Sequence, residues 1–189
     1  MRSTITAKKQ APTKAKAKAK TRTTTKTKTT KTTSSTRWRR STSAHHPAIV
    51  AMSQALYVED PGTKPMTARD VVRTLRAFER EPVRGLAVVC VSRFGRQDVV
   101  VGYALLCSFW SNELHGEVCT IDELFITPAQ RSRGLGSTLV RGLVRQELPF
   151  FRRAVAFELE VSPKNLRARA LYERLGFVSR KNACLRLLR

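Results

Sequence analysis

Residues 130–137 read Gln-Arg-Ser-Arg-Gly-Leu-Gly-Ser, a basic turn with two glycines. A strand-like stretch, 119–126, precedes it, and a helix-like stretch, 136–147, follows. Strand, glycine turn and helix together form a device for holding a pyrophosphate. Glycine lets the backbone come close to an anion, and the unpaired N–H groups of the helix's first turn point at it. A second patterned segment follows about thirty residues later. It runs from Asn165 to Phe177, with Asn165 placed to cap a short helix and Gly176 placed to end it.

These two segments need elements to position them. Helical spacing of Ile49, Met52 and Leu56, and of Val71, Leu75 and Phe78, predicts helices over 46–57 and 67–80. Asp60-Pro61-Gly62 stops the first, and Thr67 is the expected N-cap of the second. Strands are expected over 85–92 and 98–107, joined through Gly95, then over 119–126, 154–161 and 183–188, with a short Arg-rich strand at 35–41. Residues 108–117, with Trp110, Asn112 and His115, read as an irregular loop. The order predicts an α/β domain, a mixed sheet with helices on both faces.

Charge divides the chain near residue 35. Residues 1–34 hold 11 Lys or Arg and no acid, half of the formal charge of +22 in under a fifth of the 189 residues. With almost no large apolar side chain to bury, this Lys/Thr-rich tail is expected to be disordered, with 35–189 as the folded domain. Such a tail suits nucleic acid or another polyanion, held without sequence readout. It lacks the amphipathic Arg/Ser pattern of a transit peptide. No apolar run approaches the length of a membrane span, and none near Met1 resembles a signal peptide. Cys90, Cys107, Cys119 and Cys184 lack metal-ligand or disulfide-framework spacing, so buried reduced thiols and no metal are expected. A reducing intracellular setting follows, and the cytoplasm is the expected compartment, with nucleoid or nuclear association if the tail engages nucleic acid.

The stretch 121–137, with Arg131, Gly134 and Gly136 at the positions of R/Q-x-x-G-x-G/A, resembles the acetyl-CoA motif of the GNAT superfamily of N-acetyltransferases. The stretch 165–177, with Asn165, Ala168, Leu171, Tyr172, Gly176 and Phe177, is similar to that family's second signature, N-x-x-A-x-x-L-Y-x-x-x-G-F. The resemblance covers about 35–189 and implies a GNAT-like mixed sheet, splayed between its fourth and fifth strands. It implies transfer of an acetyl group from acetyl-CoA to a primary amine of a small molecule or protein.

The roles it implies fall on definite residues. Leu124, Phe125 and Ile126 would line the pantetheine arm, with a backbone N–H near Leu124 steadying the developing oxyanion. The N–H groups from Arg131 through Arg133, Gly134, Leu135 and Gly136 to Ser137 would hold the pyrophosphate, Arg131 and Arg133 adding charge. Asn165 would cap its helix, touch the cofactor, or both. Tyr172 would be the general acid for the leaving thiolate. Asp122 and Glu123 are the candidate bases. Alternation sends them to opposite faces, Asp122 with Leu124 and Ile126, Glu123 with Phe125, so at most one serves the amine. His115 is a reserve base, and Trp110 and Asn112 are candidate acceptor contacts. A monomer or homodimer fits equally. A different class of reading stays open beside this one: a polyanion-binding protein whose GNAT-like domain only senses acetyl-CoA.

Overall fold

The computed structural model describes residues 35–181. The expectations for the tail at 1–34, for Cys184 and for a strand over 183–188 fall outside the described residues. Within them, five strands form one sheet in chain order, β1 (Thr36–Arg40), β2 (Gly85–Phe94), β3 (Gln97–Ser111), β4 (Gly116–Ile126) and β5 (Ala154–Leu159). The first four pair antiparallel, and β4 pairs parallel with β5.

Helices cover both faces, as expected. Helix α1 (His46–Glu59) and α2 (Ala68–Arg80) lie on one, where Ile49, Met52, Val71, Leu75 and Phe78 meet Val89, Val91, Tyr103, Leu105 and Phe125. Pro near the start of α1 and a capping box between Thr67 and Asp70 begin these helices. The other face carries α3 (Leu135–Val144) and α4 (Leu166–Arg174), which pack through Leu139, Val140, Leu143, Tyr172 and Leu175 onto Val88, Ala104, Leu106, Cys119 and Ile121. The Arg-rich first strand earns its place through Trp38. Its indole is buried and its Nε1–H donates to the carbonyl of Leu135 at 3.0 Å, tying β1 to the first residue of α3.

Two readings of the sequence change. Residues 108–117 are mostly not a loop, because β3 runs on to Ser111 and β4 starts at Gly116, leaving a tight turn at 112–115. Phe109 and Trp110 are strand formers paired with Val118 and Glu117, and the continuing ladder overrides the polar residues among them. The second change is a bulge. Leu105 pairs with Glu123 while its neighbour Leu106 pairs with Ile121, so Asp122 is an extra residue in β4. Cys90, Cys107 and Cys119 are free thiols, and burial pushes all three well above their usual range.

Candidate active site

The fork between β4 and β5 is the centre of the site. Their ladder ends at Ile121 opposite Leu159, yet β4 continues to Ile126. Past that point, among the described residues, one edge of β4 has no strand beside it. Its orientation follows from the next residue, since the Thr127 N–H donates to the Val101 carbonyl across β3 at 2.9 Å. Backbone groups alternate sides along a strand, so residue 125 also faces β3, while Leu124 and Ile126 aim their N–H and C=O groups into the fork. That is the edge an extended amide-bearing arm can pair with.

At the end of β4 a short 3-10 turn, Pro128–Gln130, feeds the glycine turn. Gly134 occupies the N-cap of α3 at φ +76° and offers no capping side chain, so the first-turn N–H groups of Leu135, Gly136 and Ser137 open toward the cleft. The cleft is about 490 Å³, floored by Leu124 to Ile126 and walled by this turn and by α4. A Cβ at Gly136 would project between Leu124 Cδ2 at 3.6 Å and Leu171 Cδ2 at 3.7 Å, which is ordinary contact, whereas a Cβ at Gly134 meets nothing but strains the backbone. We expect Gly134→Ala to lose about 1–2 kcal/mol in urea denaturation, and Gly136→Ala to lose little stability.

The arginines divide their work. The Arg131 guanidinium lies over the Phe125 ring, 5.0 Å from its centroid. Its Nε donates to the Ile126 carbonyl at 2.8 Å, and one Nη donates to both Glu59 carboxylate oxygens at 2.8 Å each. Its backbone N–H is taken by the Pro128 carbonyl. Arg131 therefore braces the turn against α1 and the end of β4. Arg133 is exposed beside the turn. Arg167, which sequence reasoning did not single out, reaches from α4 to the Ser132 hydroxyl at 3.1 Å and joins the two signature segments. Its type was visible inside the second signature, but its partner 35 residues away was not. Glu59 was hidden in the same way at the end of α1.

Helix α4 is held at both ends. Asn165 Oδ1 accepts from the Ala168 N–H at 3.1 Å, and Asn165 also lines the cleft. At the other end the Phe177 N–H donates to the Tyr172 carbonyl and the Gly176 N–H to the Glu173 carbonyl, both at 3.0 Å, with Gly176 at φ +92°. This is a Schellman ending, whose hydrophobic partner contact is the Phe177 ring edge-on to Tyr172 at 5.7 Å. The spacing Tyr-x-x-x-Gly-Phe is what such an ending requires, and it fixes the aim of Tyr172 into the cleft. Burial pushes its phenol up to about 12, so it stays protonated throughout the neutral range.

The two acids have different surroundings. Glu123 is buried, facing α1 as Phe125 does. Its Oε2 accepts from the Tyr103 hydroxyl at 2.5 Å and the Ser53 hydroxyl at 3.4 Å, and the Tyr57 hydroxyl also bonds to it. Burial raises its carboxyl above the usual range, against the pull of these hydroxyls. Asp122 does not share the packed face of Leu124 and Ile126, because the bulge carries it out to an exposed position one residue beyond the last β4–β5 pair. His115, Trp110 and Asn112 lie at the opposite end of β4, roughly 20 Å from the bulge at about 3.4 Å per residue, and none lines the cleft.

The raised Glu123 carboxyl has a stability consequence. The folded state keeps its proton above the ordinary carboxylate value while the unfolded chain releases it, so stability falls as pH rises through that window. We expect Glu123→Gln to remove this decline, measured by denaturant unfolding from pH 4.5 to 8.

Comparison with known proteins agrees with this geometry. Residues 49–177 match the model of the acetyltransferase (GNAT) family. A 70-residue stretch is 41% identical to an aminoglycoside N(6')-acetyltransferase type 1 of Klebsiella pneumoniae, covering 36% of this chain and 34% of that protein, so the match spans about a third of the curated relative. A possible acetyltransferase from Clostridium difficile 630 superposes with a TM-score of 0.68 at 18% identity, over 81% of this chain and 97% of the other. The aminoglycoside N-acetyltransferase AAC(6')-Iy, solved in complex with CoA, superposes with a TM-score of 0.60 at 16% identity, over 82% and 96%. At such identities the superpositions speak for the fold.

Proposed function

The chain belongs to the GNAT acetyltransferase family, and on that premise we propose that it transfers an acetyl group from acetyl-CoA to a primary amine. The observation that carries this reading is the fork. The free edge of β4, the open N-terminus of α3 and the Tyr172 ring all line one cleft. Its parts suit the acetyl donor: outward backbone groups of Leu124 and the Ile126 N–H for an amide-bearing arm, the Ile126 carbonyl being held by Arg131, and first-turn N–H groups at 135–137 for a pyrophosphate.

When bound, acetyl-CoA supplies an activated thioester carbonyl. The Leu124 N–H, aimed into the fork, stabilises negative charge growing on that carbonyl oxygen. Asp122, at the mouth of the fork, attracts the acceptor ammonium and takes its proton, directly or through water. The amine nitrogen then bonds to the carbonyl carbon as the carbon–sulfur bond breaks, and Tyr172 gives its proton to the sulfur. The second proton of the attacking nitrogen leaves through water to restore the phenol, so that a neutral amide and a free thiol remain. Surroundings dry enough to hold the phenol near 12 also penalise a thiolate, so the rise in the phenol's proton affinity is offset by a rise in that of the sulfur. Glu123 is a positioning residue that ties the bulge to α1 through Ser53 and Tyr57. Arg131 positions the turn, leaving pyrophosphate charge to Arg133 and the helix.

The acceptor class we favour is a small-molecule amine, on the strength of the 70-residue match to an aminoglycoside enzyme. The basic segment 1–34 is proposed as a polyanion contact outside the catalytic domain. The test is release of free thiol from acetyl-CoA with aminoglycosides, simple diamines and basic peptides. Turnover on an aminoglycoside or diamine supports the reading. Acetyl-CoA binding without turnover on any acceptor would mark a sensing domain instead.

A further inference from the structure

Helix α2 carries a feature that acetyl transfer does not use. Arg69, Arg73, Arg76 and Arg80 recur at steps of four, three and four. At 100° per residue they fall within about 60° of arc, and at 1.5 Å rise they extend over about 16 Å. All four are exposed, diametrically opposite Val71, Leu75 and Phe78, which bury the other side of the helix in the core. The acids of the helix are already engaged. Asp70 caps the N-terminus with Thr67 and pairs with Arg73 at 3.5 Å, and Glu79 meets His46 at 3.1 Å. Arg69 sits near Asp70, whereas Arg76 and Arg80 make no ion pair among the described residues.

We propose that this arginine stripe is a docking surface for a nucleic-acid phosphate backbone. A straight row of guanidinium groups on a rigid helix can engage successive phosphates, each with paired N–H donors. A membrane surface fits less well, because an interfacial helix needs exposed apolar residues to insert, and no large apolar side chain of α2 is exposed. A folded acidic protein fits less well too, because the stripe offers no aromatic or aliphatic anchor for a buried interface centre. The surface is separate from the cleft, which has no α2 residue in its lining.

The test compares the full chain with a triple variant, Arg69→Gln, Arg76→Gln and Arg80→Gln, for binding a short labelled DNA duplex by fluorescence anisotropy across 50–200 mM salt. Gln matches Arg closely in helix propensity, and an unchanged melting temperature and acetyl-CoA turnover would confirm an intact fold. The basic segment 1–34 is present in both proteins, so its contribution cancels in the difference. Three lost phosphate contacts lower the slope of log K against log salt by about 2.7, so the variant loses about 40-fold less affinity over that fourfold salt range. An unchanged slope overturns the proposal, as does absence of duplex binding by the unmodified chain at 50 mM salt. Triple-sensitive binding to phosphatidylserine vesicles without duplex binding would assign the stripe to a membrane surface and also overturn it.

Discussion

Replacing Tyr172 by Phe is expected to lower the turnover number for acetyl transfer by about a hundred- to ten-thousand-fold, the range general acid catalysis supplies. The ring should stay in place, because the Schellman ending and the edge-on contact with Phe177 depend on the backbone and the aromatic body, not on the hydroxyl. KM for acetyl-CoA should therefore remain within about threefold, the pattern of a group whose interaction is made only in the transition state. The pH profile adds an independent check. With its phenol near 12, Tyr172 contributes no titration between pH 6 and 10, so the variant should keep the shape of the wild-type profile at a lower level. A variant within tenfold of wild type in turnover would reduce Tyr172 to a packing aromatic.

Asp122→Asn should cost about a hundredfold in kcat/KM near pH 7. An alkyl amine with a pKa of about 10 is almost wholly protonated there, so the reaction needs both attraction of the ammonium and removal of its proton. The deficit should shrink as pH rises toward the amine's own pKa, where the neutral nucleophile becomes abundant without help. Glu123→Gln should behave differently, losing less than about tenfold with no such pH trend, since a carboxamide can still accept from the Tyr103 and Ser53 hydroxyls. The reverse ordering of the two variants would move the base to the buried acid. Steady-state kinetics from pH 6.5 to 9.5 on one acceptor decides between them.

These two residues also show what the sequence could reveal. The structural setting of Tyr172 was legible because it is local: cap, helix and Gly-Phe ending lie within thirteen residues, and each is a short-range backbone requirement. The turn at Gly134 was legible for the same reason. Asp122 was only half legible. Period-two alternation separates it from Glu123, but a bulge is an insertion relative to a partner strand, and the partner's register is absent from the strand's own pattern. Residues 108–117 were misread through the same blindness, since their pairing partners decide that they are strand. Arg131 shows the limit most sharply. Its position in the motif suggested charge for an anion, yet Glu59, 72 residues earlier, holds its guanidinium. A long-range partner of that kind becomes visible only when α1 and the turn are brought together.

The bond from the Trp38 indole to Leu135 has an optical consequence. The chain has two tryptophans, and they could hardly differ more: Trp38 is 8% exposed and Trp110 is 73% exposed. A soluble quencher such as acrylamide will silence Trp110 first and leave Trp38 emitting. Because that surviving indole is bonded to the first residue of α3, the quencher-resistant emission is a native reporter on the helix end that faces the cleft. An occupant that draws on those first-turn N–H groups is expected to change its wavelength or intensity, which a titration with acetyl-CoA in the presence of quencher would measure without a label or a turnover assay.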